Sequence, residues 1–509
     1  MNNSISNFFK RMGSVLSNRW LLFALTSAIF ILFVIWTECW WLIVGEALIY
    51  DYFISRRIRE WNRRACERSR TWRIIYAVWC AAIFAIVFGT LAHMLISRWT
   101  TPYLLTLLPF FAYALWYELK GQNTLYRKLY EWVHAIVFAV IVASLIHKFL
   151  FQMYVIPTGS MEGTLLPGDY IAVSKVTYGP QMPMTPIEFP FVHNTMPMSE
   201  TKPSFSRCWQ RPYRRLAGMR DIERNDVVVF NFPEGDTVIL ELAASSYYDI
   251  LRETAAEMEQ YDRVQGITRR NADYTKIARQ YIADRFTVVA RPVDKKENYI
   301  KRCVALPGDT LRIIRGDVTI DSKPQAEIPH KQYDYLVYPV NSTRPQQCTI
   351  EDCQLAEAGK EYTSIERKLQ YQETFPHAAQ YPWTTDDFGG EEGLWIPQAG
   401  ATIALTTDNL PLYRRIIEVY EGHSLEVDGQ SISIDGVESD SYTFAMNYYF
   451  MMGDNRHYSA DSRYFGFVPE DHIVGKASYV WLSIEPQDPQ NPKSLFKRIR
   501  WKRMFESII

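Results

Sequence analysis

Apolar residues crowd the first part of the chain and thin out after it. Trp20 to Trp36 reads WLLFALTSAIFILFVIW without a charge, and Trp40 to Ile54 follows, interrupted by Glu46 and Asp51. Ile74 to Ile96, Pro102 to Tyr117 and about Trp132 to Phe151 complete five apolar stretches near the length that crosses a bilayer. The first has no small-residue cleavage site and further apolar stretches follow it, so none of them resembles a cleavable leader. The pattern predicts a multi-span α-helical membrane domain over residues 1–151.

Basic loops predict its orientation, because Lys and Arg are retained on the cytoplasmic side. Residues 1–19 carry Lys10, Arg11 and Arg19, residues 55–73 a dense run of arginines, and residues 118–128 Lys120, Arg127 and Lys128. With these three inside, residues 20–54 form a hairpin or contain a re-entrant element, residues 74–117 form a second hairpin, and everything beyond Phe151 lies outside.

Past Phe151 the pattern shortens to β-type runs bounded by turn residues: DYIAVSKV at 169–176, DVVVFNF at 226–232, YIKRCVAL at 299–306 and ASYVWLSI at 477–484. They predict a mainly β domain over 152–485. A helix-like stretch near 241–285 and a polar stretch near 325–397 read as surface insertions. The tail, 486–509, mixes basic and aromatic residues, a composition that suits either an anionic membrane surface or a solvated terminal helix.

Composition narrows the function classes. The 509 residues are 48% hydrophobic and 15% aromatic, too apolar for a disordered chain. Lys plus Arg, 55, nearly balances Asp plus Glu, 56, so no basic field calls for nucleic acid. Seven cysteines are too few for a disulfide framework in this length, and Cys348 and Cys353 are merely close enough in sequence to bridge one loop. No CxxC pair or HExxH motif gives zinc a signature.

Three clusters carry candidate chemistry. YVIPTGSMEGTLLPGD places Ser160 in a glycine-containing turn directly after the last apolar stretch. A serine nucleophile needs a base, and the nine histidines form no ordered triad with it. A lysine serves if burial disfavours its charged form. Lys301 in NYIKRCVALPGD is placed by strand alternation on the face opposite Ile300 and Arg302, beside Cys303 and Ala305. Each residue alone is the kind that is more often structural. The third cluster, FMMGDNRHYSADSRYFGFVP, packs Asp454, Arg456, Asp461 and Arg463 with the hydroxyls of Ser459 and Ser462.

Together with RNDVVVFNFP from Arg224, these motifs make the chain resemble the bacterial type I signal peptidases, or leader peptidases, in motif content and order. The resemblance implies a serine/lysine endopeptidase that removes signal peptides from exported preproteins, with an antiparallel β catalytic domain on the outer face of the cytoplasmic membrane. It implies Ser160 as nucleophile, Lys301 as general base, Thr158 with the Ser160 N–H as oxyanion donors, and Ser459 as the hydroxyl that orients the amine. It further implies Asp461 with Arg463 as an ion pair near the lysine, Asp454 and Arg302 as structural neighbours, and Ile156, Met161, Leu165 and Ile300 as walls of the shallow pockets for substrate residues −1 and −3. Preproteins and membrane lipid are the implied partners; nucleic acid, metal and cofactor are not. The sequence departs from the family pattern at Gly163, usually proline, at Asn225, usually glycine, and at His457-Tyr458, usually Asp-Asn. A catalytically inactive, membrane-anchored protein that binds exported chains is the alternative, and the intact Ser160, Lys301 and Ser459 argue against it.

Overall fold

The computed structural model describes residues 19–37, 45–50, 69–96, 103–120, 139–140, 142–186, 188–189, 191–196, 203–242, 245–267, 273–339, 346–348, 362–488 and 493–508, with isolated positions between 54 and 67 and at 132 and 136. The turn near Cys39, the loops at 97–102 and 121–131, and Cys353 lie outside these residues. The chain divides into two compact units, Met1–Ser144 and Leu145–Ile509.

The first unit holds helices α1 (Arg19–Thr37), α2 (Gly45–Tyr50), α3 (Arg70–Ile96) and α4 (Tyr103–Lys120). Helices α3 and α4 meet through Ala81, Phe84 and Ala114, where the small side chains let the backbones approach. Arg73 Nη2 also donates to the Leu119 carbonyl at 2.9 Å. Among the described residues no helix is long and apolar enough to cross a membrane. This corrects the expected multi-span helical domain. Helix α2 covers only six residues, roughly 9 Å at 1.5 Å per residue, and opens on Glu46. Helix α4 carries Pro109 inside it and Glu118 and Lys120 in its last turn, while α3 begins on Arg70 and Arg73. The fifth apolar stretch passes into a strand at Phe151.

The second unit is built on an eight-stranded antiparallel sheet. Its strands are β1 (Phe151–Val155), β2 (Asp169–Ser174), β3 (Val227–Asn231), β4 (Asn298–Ala305), β5 (Tyr448–Met452), β6 (Val468–Pro469), β7 (Ile473–Ser483) and β8 (Glu506–Ser507). They lie in the order β1-β2-β7-β3-β4-β5-β6, with β8 added to β7. The register pairs Val228 with Lys301 and Val227 with Arg302, so successive β4 residues face opposite sides. On one side Ile156, Met161, Leu165, Val227 and Val229 form a cluster that Ile300 and Tyr154 join. On the other, Val228, Phe230, Cys303, Met451 and Phe465 pack together. A third cluster, around Phe388, Phe444, Phe450 and Phe467, fills the space between this sheet and the smaller one formed by residues 310–324 and 394–395.

Residues 241–285 contain helices α5 (Tyr247–Gln265) and α6 (Tyr274–Arg285), which bury Leu251 and Ile282 against Ile239. The stretch expected as a polar surface insertion at 325–397 behaves differently, because Phe375, Phe388 and Ile396 are core residues. The tail is anchored: Ile508 is buried, and Arg503 Nη2 donates to Asp169 Oδ2 at 2.8 Å and to the Thr164 carbonyl at 2.9 Å. Phe496, Trp501 and Phe505 on the same tail are exposed.

Candidate active site

Strand β1 ends at Val155, and the chain then enters the turn that carries Ser160. The Glu162 N–H donates to the Gly159 carbonyl and the Leu165 N–H to the Met161 carbonyl, which winds the backbone tightly around the serine. Gly159 itself does not adopt a left-handed φ; the residue that does is Gly163, at φ 96°. A side chain there would meet the His330 carbonyl at 2.1 Å, and proline, fixed near −65°, could not take this conformation. The departure from the family pattern is thus matched by the chain packed against it.

Lys301, buried at 4% exposure, donates from Nζ to Ser160 Oγ at 2.7 Å. Burial lowers its pKa from the usual 10.5 to about 8, against the opposing pull of Asp461 and Asp454. Lys175 and Lys296 are also lowered to about 8 by burial. Proton affinity therefore does not set Lys301 apart from these lysines; contact with a serine hydroxyl does. Lys296 instead reaches the Pro233 carbonyl and His472 Nε2.

The 453–463 loop closes over the pair. Asn455 donates through Nδ2 to the Gly159 carbonyl at 3.1 Å and through its N–H to the Ser160 carbonyl at 3.2 Å. Gly453 has to be glycine, since a Cβ would sit 2.2 Å from Ser459 Oγ and 2.5 Å from the Ser160 carbonyl oxygen. Ser459 Oγ is buried and does not hydrogen-bond the lysine amine, so the expected link is not formed here. Neither the Ser160 N–H nor the Thr158 hydroxyl engages a described residue, and Thr158 is exposed beside the serine.

Two buried ion pairs hold this loop. Arg302 donates to Asp454 from Nε at 2.8 Å and from Nη2 at 2.7 Å, and Thr164 Oγ1 donates to Asp454 Oδ2 at 2.6 Å. Arg302 Nη1 also reaches the carbonyl of Asn225, whose φ of 72° is one that asparagine tolerates better than most residues. Asp461 accepts from Arg463 Nε and Nη2, both at 2.9 Å, and from the Gly453 N–H at 3.0 Å. Burial works to raise the Asp461 carboxyl, but the charge and hydrogen bonds of Arg463 hold it below its usual value. Arg463 Nη2 adds a bond to the Arg456 carbonyl.

Sequence reasoning missed Asn455, which lies inside the quoted GDNR motif but had no role, and the setting of His457. That imidazole is sealed between Asp334 and Asp386: its Nδ1 accepts from the Asp334 N–H at 2.9 Å, and its Nε2 faces Asp386 Oδ2 at 3.5 Å. No local signal could reveal this, because the partners come from the 325–397 stretch. Of the expected pocket residues, Met161 and Leu165 are fully buried beneath the turn, Ile156 nearly so, and Ile300 is partly open.

A pairing of a serine hydroxyl with a buried amine, flanked by free donors, is suited to acyl transfer from a peptide carbonyl. Comparison with known proteins agrees. A family model described as signal peptidase, peptidase S26, matches residues 129–376 and 401–482. Signal peptidase I of Haemophilus influenzae is 24% identical over 377 residues, covering 72% of each chain. Signal peptidase I of Helicobacter pylori is 22% identical over 389 residues, 75% of this chain and 94% of the relative. That of Rickettsia massiliae is 22% identical over 363 residues, 71% and 82% respectively. With the family model covering well over half of its residues, this chain belongs to the signal peptidase family, peptidase S26, and is a peptide hydrolase that cleaves signal peptides from preproteins.

Proposed function

We propose that Ser160 and Lys301 are the reacting pair. The observation that carries this reading is the 2.7 Å contact between Nζ and Oγ at a lysine whose burial lowers its pKa to about 8. In the neutral form the amine accepts the hydroxyl proton as Oγ attacks the scissile carbonyl. The developing oxyanion is placed against the Ser160 N–H and the Thr158 hydroxyl, donors worth about 3 kcal/mol each in comparable sites. The ammonium then protonates the leaving amine, and water activated by the same lysine hydrolyses the acyl-enzyme. Ser459, next to the Ser160 carbonyl, is read as a positioning hydroxyl that turns to the amine when substrate enters. Asp461, Arg463, Asp454 and Arg302 hold the loop.

We also read the second unit as working at a membrane surface. Phe151, Met153 and Val155 project from the edge strand β1, and Phe496, Trp501 and Phe505 from the basic tail, all exposed. Exposed apolar groups beside basic ones favour an anionic lipid interface. The dyad is tested by incubating the detergent-solubilised protein, and its Ser160→Ala and Lys301→Ala variants, with a preprotein and mapping the products by mass spectrometry. Cleavage by either variant at more than a trace of the parent rate would overturn it.

A further inference from the structure

His457 stands two residues from Asn455, which holds the carbonyls of Gly159 and Ser160. Its side chain is completely shut off from solvent and cannot touch substrate. What it touches is a wall built from the 325–397 stretch. The Gln332 N–H donates to the Asp454 carbonyl at 2.9 Å, and the Arg456 N–H donates to the Gln332 carbonyl at 3.0 Å. Two residues on, the Asp334 N–H donates to His457 Nδ1 at 2.9 Å, so the imidazole extends this backbone ladder. An Nδ1 that accepts leaves the ring proton on Nε2, and Nε2 faces Asp386 Oδ2 at 3.5 Å. A neutral imidazole suits the place because it presents an acceptor at one edge and a donor at the other. A carboxylate there would meet two others, since Asp334 and Asp386 are both buried beside it.

The wall is itself fixed to the core. Gly316, in the turn between the paired residues Ile314 and Asp317, donates from its N–H to the Asp386 carbonyl at 2.8 Å. Its own carbonyl accepts from Tyr333 Oη at 2.8 Å. Both partners of His457 are therefore tied to one turn of the smaller sheet. The Gln370 N–H donates to Asp386 Oδ2 at 2.6 Å, and two residues further Phe388, a core residue, exchanges backbone hydrogen bonds with Ile313. On the side of the loop, the Arg456 carbonyl accepts from Arg463 Nη2 at 2.6 Å. A continuous set of contacts thus runs from the core through Asp386 and Asp334 to His457, and from the loop through Asn455 to the serine turn.

We infer that His457 is a positioning residue for signal-peptide cleavage: it clamps the 453–463 loop to the wall at Asp334 and Asp386, and through Asn455 it holds the serine turn where Ser160 Oγ meets Lys301 Nζ. The inference rests on the reading of Ser160 and Lys301 as the reacting pair.

The test measures kcat, per folded molecule, and KM for preprotein cleavage by the full-length protein and by its His457→Leu and His457→Asn variants. Leucine fills much of the space of the ring but carries neither nitrogen, whereas asparagine offers an acceptor at the place of Nδ1. His457→Leu is expected to lower kcat about ten- to a hundredfold with KM nearly unchanged, the cost of a reacting group held slightly out of place. His457→Asn is expected to recover most of that loss. Should the leucine variant fold poorly, His457→Gln, which keeps a donor for Asp386 but moves the acceptor away from Asp334, is expected to lower kcat in the same way. Asn455→Ala should lower kcat by itself, and combined with His457→Leu the two effects should fall short of their product, since one residue acts through the other. Effects that multiply, a kcat unchanged in the leucine or glutamine variant, or an asparagine variant no faster than the leucine one would overturn the inference. Failure of the dyad reading shows separately, as cleavage by Ser160→Ala.

Discussion

Lys301 and Arg302 are neighbours on one strand, both cationic in water and both almost sealed, at 4% and 2% exposure. Alternation along β4 sends them to different surroundings. Arg302 meets a carboxylate in a bidentate pair with Asp454, whereas the polar partner of Lys301 is the hydroxyl of Ser160. A guanidinium stays charged under protein conditions, and a fully partnered one in the interior acts as a strut. An amine without a carboxylate in contact loses proton affinity and becomes a base. On the proposed reading, two adjacent buried cations take different roles because one has a counter-ion in contact and the other does not.

The largest effects are expected on the Lys301 side. Ser160→Ala and Lys301→Ala should each reduce preprotein cleavage by at least about a thousandfold, and the double variant should be no worse than either, because the pair acts as a unit. Product analysis on variants with unchanged melting curves checks this. Effects that multiply would break the pairing.

On the Arg302 side stability should respond. Asp454→Ala leaves the arginine buried and unpaired, and the expected cost is about 3–5 kcal/mol in denaturant unfolding of the second unit. Replacing both partners with apolar residues should recover much of it. A loss below about 1 kcal/mol would show that the pair is no strut.

Ser459→Ala sharpens the comparison with a smaller effect. If the hydroxyl orients the amine, kcat falls about tenfold while the pH dependence of the rate keeps its position. An unchanged kcat returns Ser459 to a packing role.

The smallest expected effect lies at Asp226, a buried carboxylate. Burial works to raise its pKa, but hydrogen bonds from Arg220, Lys476 and Tyr178 hold it down to about 2. Its folded pKa lies below the unfolded value of about 3.9, so its stabilisation is present above that value and is lost as pH falls through about 2. Asp226→Asn should flatten the stability profile across that acid window; an unchanged slope would show the carboxylate to be uncoupled from folding.

Much of the site was legible because its chemistry is local. The serine turn, the alternation around Lys301 and the density of charge between Asp454 and Arg463 are short-range patterns, and the structure brings all three together. What was not legible depends on distant partners. Asn455 matters through backbone carbonyls nearly 300 residues away, and His457 through Asp334 and Asp386. The 325–397 stretch read as peripheral because its polar residues dominate the pattern, yet Phe388 packs on Phe450 with ring centroids 5.5 Å apart. Three of the four strands read after Phe151 lie within two residues of their observed ends and the fourth, read from 477, begins at Ile473, whereas the apolar stretches before Phe151 did not become helices of spanning length among the described residues. Hydropathy reports a preference for apolar surroundings, not how far helical hydrogen bonding runs.

The pH dependence of kcat/KM for preprotein cleavage tests the central claim most directly, since it reports the essential base of the free enzyme. If Lys301 is the base, only its neutral form accepts the serine proton, so the rate is expected to be low in acid, to rise through an apparent pKa near 8, and to level off above it. A rise that begins only near 10.5, the ordinary lysine value, would show that burial does not tune this amine and would contradict the account.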